Sequence, residues 1–408
     1  MAPKQVKAIQ TKNARSLDKK KQEETQDKRA QIRVKQEEWK KKQQQRRATV
    51  TTKSVTAKAK LDEAMEQRVK SLQSTFDDLQ DDMMLTNVHS SMGDVESVLT
   101  TLPADLAQLR GRGYNFRSYL ENKVNVLTDK WETICDQVED DIDRHTSNLM
   151  EDADKVAASV QQAQVGSSSL VGSAESAVQS FKRKCESAHS TIQGRYGDVG
   201  QTIQQTRQQI DQVKWAFDQA DEAKFDLLPS EFLVAACKAK LLEKPDGDEG
   251  QEGNLYLTDE RLIFERKESV ATKKFLFITT ESETVQELKF APLIGHVADA
   301  KAQDKQHFFS STELLFVQFS PEAGVGSAVL ALQDGATNEE WCQLINRVRT
   351  GEIDKERVEG AAEVKEAAAV KVASAPTICP TCGGTLPTTI ARGQSTINCD
   401  YCGAVIRL

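Results

Sequence analysis

Gly253-Asn-Leu-Tyr-Leu-Thr-Asp-Glu-Arg-Leu-Ile-Phe-Glu265 reads as two β-strands joined by a tight turn. Aliphatic and aromatic residues dominate both arms, as strands favour, and Thr258-Asp-Glu between Leu257 and Arg261 is a hairpin signal. Similar short runs lie on either side. Upstream stands Phe232-Leu-Val-Ala-Ala-Cys-Lys-Ala-Lys-Leu-Leu. Downstream stand Lys274-Phe-Leu-Phe-Ile, Gln286-Glu-Leu-Lys-Phe, Leu314-Leu-Phe-Val-Gln-Phe and Ala328-Val-Leu-Ala-Leu. The acidic, glycine-bearing stretch from Lys244 to Glu252 is expected to be a loop. After the last run, Trp341, Leu344, Ile345 and Val348 share one helical face, so a capping helix is expected there.

Six or seven strands followed by one helix is the order of a PH-like barrel. The sequence here resembles the GRAM and bacterial PH-like family. The resemblance rests on the 253–265 stretch, the upstream Val234-Ala-Ala-Cys run and the downstream helix, and it covers roughly a third of the chain. It implies a PH-like β-barrel with a C-terminal capping helix over residues 225–351, binding lipid headgroups or protein. Cys237 is then a strand residue and Cys342 a helix residue. A phosphoinositide site needs clustered cations; Arg266, Lys267, Lys273 and Lys274 flank one presumed hairpin and form the candidate lipid or partner patch. Residues 225–350 hold thirteen Lys/Arg against twenty-one Asp/Glu, a balance that favours protein at least as much as lipid.

Residues 54–224 carry a different period. Leu61, Met65, Val69, Leu72, Phe76, Leu79 and Met83 recur at steps of four and three, one apolar stripe on a helix. Asn87, Gly93, Pro103, Gly111 and Gly113 then punctuate residues 86–115, read as turns around short helices. The same alternation resumes through Leu120, Leu127, Trp131, Val138, Ile142, His145, Leu149 and Val160, and again through Val178, Phe181, Cys185, Ile192, Tyr196, Ile203, Ile210 and Phe217. Residues 165–173 read as the connection between these two helices, which most simply form an antiparallel hairpin. Such heptad seams need a covering helix, from the 61–83 stripe or from a second chain, so a coiled coil and homo-oligomer formation through it are both open. Gly194, Gly197 and Gly200 mark a kink or a close helix contact. His145, Cys135 and Cys185 read as packing residues.

Charge is segregated. Residues 1–60 hold nineteen Lys/Arg and six Asp/Glu, whereas residues 61–224 hold sixteen and twenty-eight. Residues 1–53 are low-complexity and basic, with Trp39 nearly their only large apolar group, so they are a disordered tail or a lone charged helix. A cationic arm of this kind can hold nucleic acid or anionic lipid, or fold back on the acidic body. No apolar run is long enough for a transmembrane helix, and Met1-Ala-Pro-Lys lacks an apolar signal core, so a cytoplasmic protein, peripheral at a membrane at most, is expected.

Residues 352–375, rich in Ala, Glu, Lys and Val, read as a linker ended by Pro376. Beyond it, Cys379-Pro-Thr-Cys382 and Cys399-Asp-Tyr-Cys402 repeat one spacing. A two-residue gap lets both sulfurs of a pair face one point, and Gly383 and Gly403 permit the tight turn after each pair. Residues 376–408 therefore look like a zinc ribbon in which Cys379, Cys382, Cys399 and Cys402 hold one structural Zn2+ ion, closed to substrate. Thr385-Leu-Pro and Thr396-Ile-Asn are expected to supply its strands. With Arg392, Arg407 and Asp400 the metal-loaded ribbon is near −1, and Tyr401 is its one aromatic, so nucleic acid is not the expected partner.

The chain thus reads as a multidomain protein: helical coiled-coil or hairpin, PH-like barrel, zinc ribbon. No constellation of catalytic residues stands out. Five scattered histidines lack partner spacing, and Gly111-Arg-Gly113 is a turn with no strand before it. The expected role is a non-enzymatic scaffold or adaptor that binds protein partners. Peripheral binding to anionic lipid, and nucleic-acid binding through the basic N-terminal arm, are the alternatives.

Overall fold

A computed structural model describes residues 34–35, 37–39, 41–42, 45, 63–164, 167–275, 278–306, 311–386, 390, 394 and 396–407. The side chains of residues 63, 270–283 and 371 fall outside the description. Among the described residues, those between 34 and 45 are helical, and α1 (Glu63–Asp82), α2 (Thr86–Gly111), α3 (Leu120–Ala163) and α4 (Ser168–Asp221) come next. Nine strands and two helices follow: β1 (Leu233–Leu242), β2 (Gly250–Thr258), β3 (Leu262–Phe275), β4 (Ile278–Phe290), β5 (Val297–Gln306), β6 (Ser311–Phe319), β7 (Ser327–Leu332), α5 (Asn338–Arg349), α6 (Ala361–Ala373), β8 (Thr396–Asn398) and β9 (Val405–Arg407). The chain divides into two compact units, residues 1–100 with 125–205, and residues 101–124 with 206–408.

In the first unit the heptad stripes are buried by the chain itself. Val69, Leu72, Phe76 and Leu79 of α1 are buried, as are Trp131, Val138, Ile142 and Leu149 of α3 and Phe181, Cys185, Ile192 and Tyr196 of α4. Leu61 lies outside the described residues. Each such side chain contributes about 1.5–3 kcal/mol when taken from water. Ring contacts fix the register: Phe76 against Phe181 and Trp131 edge-on to Tyr196, each at 6.1 Å. Ion pairs Asp152–Lys184 and Asp141–Arg195 run in opposite sequence directions, so α3 and α4 are antiparallel, whereas Arg68–Glu175 and Phe76–Phe181 set α1 parallel to α4. Lys35 and Lys42 of the basic segment pair with Asp143 and Asp154 of α3, and Trp39 is buried.

The expectation of short helices across residues 86–115 is corrected: α2 is one helix with Pro103 inside it. Val88, Met92, Val95, Leu99, Leu102, Leu106 and Leu109 are all buried at steps of three and four. Their summed burial exceeds the roughly 3 kcal/mol that an interior proline costs. The break in the chain comes earlier, at Met83, Met84 and Leu85, where Leu85 takes a φ of 53°. The connection between α3 and α4 is also shorter than the glycine and serine residues suggested, because α4 begins at Ser168 and runs unbroken for 54 residues. Within it, Gly200 is where a Cβ would touch Val95, while Gly194 and Gly197 face open space.

In the second unit, β1 to β7 form one antiparallel sheet in the order β4-β3-β2-β1-β7-β6-β5. β2 and β3 pair from Gly253–Arg266 to Leu257–Leu262, so the turn lies where the hairpin signal put it. α5 packs on β5 and β6, burying Trp341, Ile345 and Val348; Thr337 caps it by accepting the Glu340 N–H. The barrel expectation reaches as far as this sheet and helix: β4 and β5 are its two edges, with no ladder between them among the described residues. Of the expected strand Lys274-Phe-Leu-Phe-Ile, Lys274 and Phe275 end β3 and Ile278 begins β4, paired with Phe275; Leu276 and Phe277 lie outside the described residues. A strand not expected from sequence, β5, carries Asp299, Lys301, Asp304 and Lys305. Charge of this kind is tolerated on a sheet edge, which is where β5 sits.

Replacing Phe181 with alanine should cost about 3–5 kcal/mol in urea unfolding. It should leave the sedimentation coefficient of the folded chain unchanged, because the seam it leaves is covered within one chain.

Candidate metal centre

The C-terminal cysteines sit in two matching turns. In the first, the Cys379 N–H donates to Gly384 O at 2.8 Å and the Gly383 N–H to Cys379 O at 2.9 Å. In the second, the Cys399 N–H donates to Ala404 O at 2.9 Å and the Gly403 N–H to Cys399 O at 2.8 Å. Gly383 and Gly403 take φ of 76° and 72°, left-handed values that suit a residue without Cβ. Gly384 is required for another reason: a Cβ there would lie 2.5 Å from the Tyr401 ring. β8 and β9 pair beside the second turn, and Ile378 bridges Thr385 beside the first. The expected strand at Thr396-Ile-Asn is therefore present, with residues 405–407 as its partner, whereas Thr385 contributes one isolated bridge.

These turns bring the sulfurs of Cys379, Cys382, Cys399 and Cys402 within 4.8 Å of one another, the one such grouping of metal-ligating side chains among the described residues. Cys379 lies 3.8 Å from Cys402 and Cys382 lies 3.6 Å from Cys399. A tetrahedron of thiolates at zinc-ligand length has edges of about 3.8 Å, so the donor set fits zinc in both number and size. Backbone N–H groups of Cys382 and Thr381 face the Cys379 sulfur and favour its thiolate, while the crowded neighbouring thiols push that of Cys382 up. Cys379 and Cys399 are buried with Leu386, Ile390, Ile397 and Ile406; Val372 and Ala375 pack against that small core from the α6 side. So few apolar groups make a marginal core without a metal clip.

The four remaining cysteines are scattered and behave as packing groups. Burial pushes the Cys185 thiol up to about 12, and raises those of Cys237 and Cys342. Cys342 donates to Ala300 O, which ties α5 to β5.

Of the candidate surface patch, two cations are occupied within the chain. The Arg266 guanidinium pairs with Glu268, holding that carboxyl below its usual range. Lys267 Nζ donates to Glu222 at 2.7 Å and to Gln219 at 3.1 Å. Lys273 and Lys274 pair through their backbones with Glu281 and Thr279 near the hairpin tip; their side chains lie outside the described residues. Arg392 does too.

No family model matches the chain, and no curated protein matches it. Among solved structures, an alignment to the Vps36 N-terminal PH domain has 15% identity over 30% of this chain and 83% of that one, with a TM-score of 0.19. One to the DH/PH domains of p115-RhoGEF has 11% identity over 64% of this chain and 97% of that one, with a TM-score of 0.20. At such TM-scores neither likeness bears on how the site is read.

Native mass spectrometry of the full chain should find one bound metal ion, and Cys399→Ser should remove it. Acidification should release the metal as well, because protons compete for thiolates.

Proposed function

We propose that this protein is a non-enzymatic cytosolic scaffold that binds protein partners through a PH-like domain and a zinc ribbon. The observation that carries the reading is the second unit's build. A seven-stranded antiparallel sheet bears one C-terminal helix across β5 and β6, the element order of PH-like and GRAM-like modules, which recognise ligands by surface contact. On this reading the sheet closes toward a barrel, and the four cysteines hold a structural zinc with no open coordination position. The ribbon then serves as a rigid docking piece.

The pairing of Arg266 with Glu268 and of Lys267 with Glu222 supports a protein partner over a phosphorylated headgroup, which needs unspent cations. Lys35 and Lys42 are likewise paired with acids of α3, which supports a basic arm turned toward its own helices. Burial of the helical seams within one chain supports a role for the helices as a spacer, with self-association through them a lesser part of the reading.

Vesicle co-sedimentation combined with affinity capture tests this. At about 0.15 M salt, where charges are screened beyond about 8 Å, the full chain should pellet no more with anionic than with neutral vesicles. It should capture a specific protein whose recovery falls when Cys399→Ser removes the metal. Strong pelleting with anionic vesicles that is lost on deleting residues 1–53 would favour the lipid reading instead.

A further inference from the structure

A pocket of about 150 Å³ lies between the loop that follows α2 and the segment that follows α5, within the second unit. Tyr114, Arg117, Tyr119, Gln209, Arg347 and Glu356 are the polar part of its lining. Two donors there have no protein partner. Tyr114 is fully buried and its hydroxyl is unpaired, and the buried Nη1 of Arg117 is unpaired too. An orphaned buried donor costs about 1–3 kcal/mol, and the large majority of buried side-chain polar atoms in folded proteins have a partner. Two such donors lining one pocket call for an acceptor from outside the chain.

The loop is built to hold them. Arg117 has a φ of 53°, a left-handed conformation that a residue with a side chain adopts only when its surroundings impose it. Arg110 imposes it from one side: its guanidinium donates to the carbonyls of Tyr114, Phe116 and Arg117 and pairs with Glu121. The other side is fastened by the Ser118 N–H to Glu356 O and the Val358 N–H to Asn115 O, both 2.9 Å. The pocket's formal charge is positive. Arg117 and Arg347 face one carboxylate, Glu356, and Arg347 already takes it. Desolvation lifts the Tyr114 phenol to about 12, so it stays a neutral donor. The charge left over is that of one cation, which matches a monoanion, and 150 Å³ holds only a few heavy atoms.

We propose that this pocket binds a carboxylate group, with the Tyr114 hydroxyl and the Arg117 guanidinium as its donors. The carboxylate belongs to a free small acid or to the C-terminus of a peptide chain. The scaffold reading rests on the sheet and the cysteine turns and not on this pocket, so the two stand or fall separately.

Saturation-transfer NMR on the full chain tests it, with acetate, acetamide and N-acetyl-Gly-Gly as probes at constant ionic strength. Acetate should give a saturable signal, and its neutral isostere acetamide should bind at least about tenfold more weakly. Tyr114→Phe, which removes one buried hydroxyl and no volume of consequence, should weaken acetate by a similar factor, and so should Arg117→Gln. Circular dichroism would confirm that both variants fold. Competition by N-acetyl-Gly-Gly would assign the site to chain termini, and its failure to compete would assign it to free acids. Absence of saturable acetate binding, equal binding of acetamide, or binding unchanged in folded Tyr114→Phe would overturn the proposal and leave a pocket filled by water.

Discussion

A buried carboxylate must be neutralised where it lies, and the second unit is organised around two that are. Asp259 sits at the turn between β2 and β3, at 2% side-chain exposure. It accepts the Phe232 N–H and pairs with both Arg357 and Lys365. Glu231, fully buried, receives a bidentate Arg261 guanidinium and the Thr258 hydroxyl. Removing one partner from such a set strands a charge away from water, at about 3–5 kcal/mol. The turn therefore fixes the start of β1, the β2–β3 hairpin and the chain beyond α5 in one arrangement. Arg357 extends it further, stacking 4.6 Å over the Phe116 ring.

This arrangement bears on function through what it leaves fixed. Lys365 belongs to α6, and the residues that end α6 pack on the small apolar core between the two cysteine turns. The ribbon is thus reached from the sheet through a segment held by ion pairs. A similar economy of charge recurs elsewhere. Arg207 pairs with Asp105, and Arg112 with both Asp218 and Asp221. Among the described residues these cations are taken up by carboxylates of the same unit.

Much of this was legible in the amino-acid order, for identifiable reasons. The stripes of α1, α3 and α4 announce themselves because their alternation of three and four is unbroken. The cysteine turns do so because spacing alone sets how two sulfurs can face one point. α2 was obscured by Gly93 and Pro103, which read as punctuation although the apolar period continues through Val95, Leu99, Leu102 and Leu106. β5 was obscured by its charges, since an edge strand needs little apolar surface. Asp259 and Glu231 were in plain view, but Arg357 and Lys365, which pair with Asp259, lie about a hundred positions from it, and only folding joins them. The pocket at Tyr114 and Arg117 left a faint trace, three aromatics, Tyr114, Phe116 and Tyr119, close behind Gly111-Arg-Gly113.

Native-state hydrogen exchange of the β2 and β3 amides in Asp259→Asn, Arg357→Met and the double variant tests most directly whether the turn holds the unit together. Asp259→Asn, which takes the carboxylate from both Arg357 and Lys365, should lower the opening free energy by about 3–5 kcal/mol; Arg357→Met should cost less because Lys365 stays on Asp259, and the double variant should be little worse than Asp259→Asn. Single changes of less than about 0.5 kcal/mol, or fully additive ones, would show that the sheet stands without the pair.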